Sequence, residues 1–316
     1  MSVTNTGIHP VTGSESPPPS ASATTWADPL SPWYAEHGRH TLPWRHTRDP
    51  WGVLVSEVML QQTAVARVLP RWHPFLERWP DPAACAAAPL EEILRFWAGL
   101  GYPRRARGLL ETARRGAERG WPVDEAGLRR LPGVGAYTAR ALLVLAFDAD
   151  GPPPRDVNVG RLAARAGLGV ELHQTPARRL EAVLSSSRPA DRSARDHTLA
   201  LFDLGATVCT AAAPGCPRCP LRSGCASAAR LWAAPPPRPP RRQAAYAGSQ
   251  RQLRGAVLSA LLDPAPPQTR AELHRRVANA PAARRPGAVE AALLGLRKDA
   301  LVPPAPAEGP DLLLAT

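Results

Sequence analysis

Four cysteines fall within 17 residues: Cys209, Cys216, Cys219 and Cys225, spaced C-x6-C-x2-C-x5-C. Four thiolates this close in sequence can close around one metal centre. Structural zinc sites usually pair two C-x2-C knuckles, and only Cys216 and Cys219 form one here. The wider loop suits a [4Fe–4S] cube, which also takes four cysteine ligands, with zinc as the alternative. Disulfides are not expected in a cytosolic chain. The fifth cysteine, Cys85, lies in Ala-Ala-Cys-Ala-Ala and reads as a small buried apolar residue.

Two carboxylates have contrasting neighbours. Glu57 lies in Trp51-Gly52-Val53-Leu54-Val55-Ser56-Glu57-Val58-Met59-Leu60, and on a helix it would sit beside Val53, Leu54 and Leu60. A carboxyl on an apolar stripe is costly unless paired or protonated. Desolvation would raise its pKa toward what a general acid needs at neutral pH, although a Glu at the edge of the stripe could also reach water. Asp156 follows Pro152-Pro153-Pro154 and precedes the helical pattern Val157-Asn158-Val159-Gly160-Arg161-Leu162, which is an N-cap position. The helix dipole would favour its ionised form, and capping alone would also account for it. As a pair, one carboxyl pushed up and one held down divide into an acid and a charge stabiliser.

The elements that must position these groups read as helices. From Trp26 to Ala228 apolar residues recur at three- and four-residue spacing with no sustained alternation. The pattern predicts helices near 30–40, 50–67, 71–79, 90–99, 103–119, 124–131, 136–147, 157–168, 176–184 and 194–208. Between two of them lies Leu131-Pro132-Gly133-Val134-Gly135, a turn whose glycines allow close approach to a partner. The helix that follows begins with outward-pointing N–H groups able to take a phosphate. Residues 1–25 read as a disordered Ser/Thr/Pro-rich tail, 26–228 as the catalytic unit, 229–249 as a Pro/Arg linker, and 250–316 as a small helical module. The helices near 251–262, 270–278 and 287–298, with Leu301-Val302 and Leu312-Leu313-Leu314, suggest a winged-helix-like fold for that module.

Among the 316 residues, 39 are basic and 27 acidic, a net charge of +12, which points to a polyanionic partner, nucleic acid first. No stretch approaches the roughly 18–20 apolar residues of a membrane span. All but one of the basic residues are arginine, the single lysine being Lys298. Chemistry through a lysine Schiff base is therefore not expected of residues 26–228.

Together these residues resemble the A/G-specific adenine glycosylases of the endonuclease III superfamily. The resemblance spans about Thr41 to Cys225. It rests on Leu42-Pro43-Trp44-Arg45, Ser56-Glu57-Val58-Met59-Leu60-Gln61-Gln62-Thr63, Trp97-Ala98-Gly99-Leu100-Gly101-Tyr102, the Gly133–Gly135 hairpin, Asp156-Val157-Asn158-Val159 and the cysteine loop. It implies an all-α helix-hairpin-helix glycosylase with a [4Fe–4S] cluster. Such a protein would act as a cytoplasmic, nucleoid-associated monomer on double-stranded DNA carrying A:8-oxoG or A:G mispairs. By the same resemblance Glu57 would protonate adenine at N7, and Asp156 would stabilise or briefly trap the oxocarbenium-like sugar. Tyr137 and Asn158 would support Asp156 and that sugar. Arg45 would lie near the adenine pocket and Gln61 would face the substrate. Gln62 and Tyr102 match positions that wedge into the duplex. Gly133, Val134 and Gly135 would hold the DNA backbone, with Arg218 and Arg222 adding charge.

The chain departs from the family pattern at Val157 and Gly160 within the Asp-Gly-Asn-Val string, at Pro103 and at Leu199. The segment after Ala228 is short and helical where many members carry a β-rich Nudix-like domain. The competing readings are an endonuclease III-like glycosylase for damaged pyrimidines and a non-enzymatic iron–sulfur DNA-binding regulator.

Overall fold

The computed structural model describes residues 26–234, 236 and 245–304. The expected tail at 1–25, most of the 235–244 part of the expected linker, and Leu312–Leu314 lie outside the described residues. The described chain is all-helical, with no strand among the described residues. In chain order the helices are α1 (Leu30–His37), α2 (Pro50–Leu60), α3 (Val65–Arg78), α4 (Pro82–Ala87), α5 (Leu90–Trp97), α6 (Arg104–Arg119), α7 (Glu125–Arg129) and α8 (Ala136–Phe147). They continue as α9 (Val157–Leu168), α10 (Ala177–Ser185), α11 (Ala194–Thr207), α12 (Ala228–Ala233), α13 (Gln250–Leu261), α14 (Arg270–Val277) and α15 (Ala288–Lys298). None is long and apolar enough to cross a membrane.

Two hydrophobic clusters organise these helices. One is built from α2 to α8 and continues without a break into α13–α15, through Leu253, Val257, Leu273, Val289 and Leu296. The other gathers Leu30 of α1, Val159 and Leu162 of α9, Leu180 and Leu184 of α10, Leu201 and Leu204 of α11, and Cys209 and Leu221 of the cysteine loop. Tyr34 and Phe202 pack against both. The C-terminal helices are also tied to the first cluster by polar contacts. Arg95 Nε donates to the Leu262 carbonyl at 2.7 Å, and Arg107 Nη1 donates to the Asp299 carbonyl at 2.6 Å.

Helix starts with local signals fall where the sequence places them. Asp156 caps α9 through the N–H groups of Asn158 and Val159, and Asp148 in the left-handed region ends α8. The expected helix over 50–67 is instead two. The chain leaves α2 after Leu60, passes through Gln62 at φ +53°, and re-enters a helix at Val65. The cause is distant in sequence: Arg105 takes the carbonyls of Val58, Met59 and Gln61, which further helical turns would otherwise use.

The winged-helix expectation is met only in its three helices. Ala300 sits at φ +49°, its N–H bonded to the Arg297 carbonyl, and the Leu301 N–H reaches the Leu296 carbonyl. This is a Schellman ending. It drives Leu301 into the core at 2% exposure rather than along a wing strand.

Candidate active site

Where the two clusters meet, a cavity of about 890 Å³ opens. Arg45, Glu57, Gln61, Gln62, Gly133, Gly135, Tyr137, Asp156 and Asn158 line it, with Arg195, Leu199 and Phe202 opposite. Glu57 comes from the middle of α2, eight of whose other residues are buried, and is itself 7% exposed. Burial pushes its carboxyl up to about 7. A hydrogen bond from the Tyr137 hydroxyl and the charge of Arg45 pull it down, and the charge of Asp156 adds to the rise. Tyr137 stands on the first turn of α8, where burial and the negative charges of Glu57 and Asp156 raise its hydroxyl well above the usual value. The phenol therefore keeps its proton and donates it to the carboxyl.

Asp156 enters the cavity from the start of α9. Its Oδ1 accepts the N–H groups of Asn158 and Val159 at 2.9 and 2.7 Å, and its Oδ2 accepts the Asn158 side-chain amide at 3.1 Å. Asn158 is held in turn. Arg161 Nη2 donates to Asn158 Oδ1 at 2.8 Å and to the Gly205 carbonyl at 2.7 Å, while Arg161 Nε donates to the Cys209 carbonyl at 2.8 Å. One turn later Arg165 grips the carbonyls of Thr210 and Ala211 at 2.7 and 3.0 Å and lies 3.9 Å from Cys209 Sγ. Helix α9 thus carries the carboxylate at one end and the fastening of the cysteine loop along its length.

The floor of the cavity rests on a buried ion cluster. Asp203, 0% exposed on α11, accepts Arg39 Nε at 2.8 Å and Arg45 Nη2 at 2.6 Å through Oδ1, and the Arg39 N–H at 2.8 Å through Oδ2. Arg45 lies with its guanidinium carbon 5.8 Å from the Phe202 ring centre, and its Nε is buried without a hydrogen-bond partner. An unpaired buried donor costs about 1–3 kcal/mol. Arg195 Nη2 donates to the carbonyls of Arg45 and Thr47 at 2.8 and 2.9 Å, fixing the loop that carries Arg45. Sequence reading missed Asp203, Arg195, Arg161 and Arg165. The available signal was an Asp within the apolar run Leu201-Phe202-Asp203-Leu204, which requires a cation from elsewhere.

Of the remaining residues named from sequence, Gln62, Gly133 and Gly135 line the cavity, and Tyr102 and Val134 lie on loops outside its lining. Gln62 is exposed at φ +53° and Tyr102 is 38% exposed at φ +49°, on separate loops. In the hairpin, Gly133 needs its φ of +77° and packs against Gly108. Gly135 has an ordinary φ, and a Cβ there would meet nothing within 4 Å, so the space in front of it is open. The start of α8 behind it carries no side-chain cap. Val134 differs from both glycines: its side chain is buried and its N–H is spent on the Leu131 carbonyl.

Cys209, Cys216, Cys219 and Cys225 line a single small cavity together with Leu162, Arg165 and Leu221. No group of three or more His, Cys, Asp or Glu among the described residues is arranged to hold a metal ion. Of the loop's basic residues, Arg222 stacks on Trp232 with its guanidinium carbon 4.6 Å from the ring centre, and Arg218 Nη2 donates to the Thr207 carbonyl.

Residues 55–185 match the family described as HhH-GPD superfamily base excision DNA repair protein. The chain is 45% identical over 248 residues to an adenine DNA glycosylase of Mycolicibacterium smegmatis, covering 77% of this chain and 83% of that one. Among solved structures it resembles a thermostable thymine-DNA glycosylase, with a TM-score of 0.60 at 26% identity over 65% of this chain and 95% of that one. It also resembles an endonuclease III in a non-covalent DNA complex, with a TM-score of 0.55 at 25% identity over 65% of this chain and 94% of that one. The likeness to these solved structures is one of fold, whereas the sequence likeness is much stronger to the adenine enzyme. Two carboxyls in opposite surroundings across one cavity are the equipment for cleaving a glycosidic bond, and the chain belongs to the HhH-GPD superfamily of base excision DNA repair glycosylases, in its adenine DNA glycosylase branch.

Proposed function

We propose that this glycosylase hydrolyses the N-glycosidic bond of adenine paired with 8-oxoguanine or guanine in duplex DNA and leaves the strand intact. The observation that carries the reading is Glu57, whose buried carboxyl is pushed up to about 7 in a cavity it shares with Asp156. At neutral pH a large fraction of Glu57 is protonated and able to donate to adenine N7, making the base a leaving group. As the bond breaks, positive charge grows on the sugar, where Asp156 and Asn158 face it until water adds. The base must leave the stack to enter the cavity. Gln62 and Tyr102 would fill the space it vacates, and the open approach at Gly135 with the uncapped start of α8 would seat a backbone phosphate. Arg45 lines the cavity and would lie beside the base. Strand cutting through an amine is excluded from residues 26–228 because they contain no lysine.

The test uses labelled duplexes carrying A:8-oxoG, A:G and thymine glycol. Alkali-labile sites are expected with the first two, and strand breaks only after alkali or heat. Release from thymine glycol alone overturns the reading, as do breaks without alkali at the rate of base release.

The cysteine loop is proposed to hold a [4Fe–4S] cluster. The donor set fits: four thiols face one cavity, with the arginine-fastened backbone of α9 behind them. A single zinc ion takes four thiolates at about 2.3 Å and usually through two C-x2-C pairs, whereas the C-x6-C-x2-C-x5-C spacing, with one such pair, favours the larger cluster. When bound, the cluster would supply a four-point cross-link that stiffens residues 209–225. Purified protein is expected to be brown and to contain iron and acid-labile sulfide in equal amounts. Zinc with no iron would overturn this assignment.

A further inference from the structure

Two adjoining loops carry non-glycine residues in left-handed backbone, Gln62, which lines the cavity, at φ +53° and Tyr102 at φ +49°. Such backbone is strained and persists only where its surroundings impose it. Here one side chain does so for both loops. Arg105, on the first turn of α6, donates from Nη1 to the carbonyls of Val58, Met59 and Gln61 at 2.8, 3.1 and 2.5 Å. From Nη2 it donates to Thr63 Oγ1 and to the carbonyls of Leu100 and Gly101 at 3.0, 2.9 and 2.9 Å. Thr63 Oγ1 also donates to the Leu100 carbonyl at 3.0 Å, joining the loops directly. The Arg105 guanidinium carbon lies 5.4 Å from the Tyr102 ring centre and 5.5 Å from that of Trp97. Its Nε is buried without a hydrogen-bond partner, and its bonds to the two loops come from Nη1 and Nη2 alone.

The neighbours of Arg105 on α6 have other partners. Arg104 is 75% exposed and pairs with Asp299, while Arg107 pairs with Glu111 and the Asp299 carbonyl.

We propose that Arg105 is a positioning residue that makes Gln62 and Tyr102 a single two-pronged wedge, so that both enter the duplex together when adenine is extruded. This rests on reading Gln62 and Tyr102 as the wedge residues of the proposed glycosylase. Arginine is required because its planar fork offers donors along two edges. A lysine ammonium is a single point and cannot span both loops. Arg105 touches neither base nor sugar; it acts on extrusion and not on bond cleavage.

The test compares the full-length wild type with Arg105→Gln, Arg105→Lys, Tyr102→Ala and the double variant Arg105→Gln/Tyr102→Ala. Single-turnover adenine release is followed on an A:8-oxoG duplex and on a duplex in which the adenine is already unpaired in a one-base bulge. Fluorescence of 2-aminopurine next to the adenine reports wedge insertion independently of chemistry. Arg105→Gln is expected to lose about a hundredfold on the paired duplex, much less on the bulge, and to abolish the fluorescence rise that the wild type gives on binding. In that background Tyr102→Ala is expected to add little, since the two substitutions disable one unit. Arg105→Lys should resemble Arg105→Gln and not the wild type. It also carries the test if Arg105→Gln fails to fold.

Equal losses on the two substrates with the fluorescence rise intact would overturn the proposal, as would a full multiplicative effect of Tyr102→Ala. If the wild type releases no adenine from either DNA, the glycosylase reading fails, and the fluorescence series alone decides whether Arg105 sets the wedge.

Discussion

Glu57→Gln is expected to lower single-turnover adenine release by about a thousandfold or more, the upper part of the range for a lost general acid. The fold should survive, because Gln has nearly the same shape and can still accept from Tyr137. Wild-type activity should also fall as pH rises through about 7, where Glu57 gives up the proton it needs to donate, by about tenfold per unit above that point. The residual activity of Glu57→Gln should lack this limb. A wild-type rate that stays flat from pH 6 to pH 9 would sink the assignment of Glu57 as the acid.

Stability falls with rising pH as well, over the range just below that limb. The folded chain holds the Glu57 proton more tightly than the unfolded chain does, so stability attached to this group is full below the ordinary pKa of 4.5 and is lost as pH rises toward about 7. The loss amounts to about 3 kcal/mol. Glu57→Gln avoids it, so above pH 7 the inactive variant is expected to melt higher than the wild type. Equal or lower melting there would mean that Glu57 is not desolvated in solution.

Asp156→Asn is expected to be as inactive, again by about a thousandfold, since the charge that faces the sugar cation is removed. Asn is as good an N-cap as Asp, so its carbonyl oxygen can keep the N–H groups of Asn158 and Val159 and α9 should remain. What cannot be kept is the acceptor for the Asn158 amide, because an NH2 group replaces Oδ2. The charge of Asp156 is also one of the causes that raise Glu57. Whatever activity remains in Asp156→Asn should therefore lose its alkaline limb at a lower pH than the wild type. Melting curves and a pH series of single-turnover rates check both points. Activity within tenfold of wild type would exclude Asp156 from the chemistry.

Much of this architecture is written locally in the chain. Asp156 is a cap because of the prolines before it and the helical pattern after it. Glu57 is a buried acid because Val53, Leu54 and Leu60 surround it on a helix. Helices α8 and α9 begin and end where sequence places them because Gly135, Asp148, Asp156 and Gly169 set their limits. Helix α4 escapes a periodicity reading since its sequence, Pro-Ala-Ala-Cys-Ala-Ala, has no polar face, though Asp81 before Pro82 marks its start. The buried arginines are a different case. Asp203 meets Arg39 and Arg45 across 164 and 158 residues, and Arg105 ends α2 from 44 residues away. Nothing adjacent to these residues shows which one turns inward, and a pattern of apolar spacing treats every arginine as surface. Arg105 shows the consequence: the helical periodicity runs on through Gln61–Ala64, and a distant guanidinium overrides it.

The two hydrophobic clusters flanking the cavity are not two stretches of chain. The backbone passes from the second cluster to the first after α1 and back between α8 and α9; α11 then serves both, through Ala194 and Leu199 on one side and Leu201 and Leu204 on the other, and α13–α15 rejoin the first. Glu57 and Tyr137 therefore belong to a body that also includes α13–α15, and Asp156 to one that also includes the first helix. The residues lining the cavity run from Arg39 to Ala206. Pairings of such long reach form late and slowly. Excision is thus expected only once these distant segments have closed around the cavity, and not from a partly made chain.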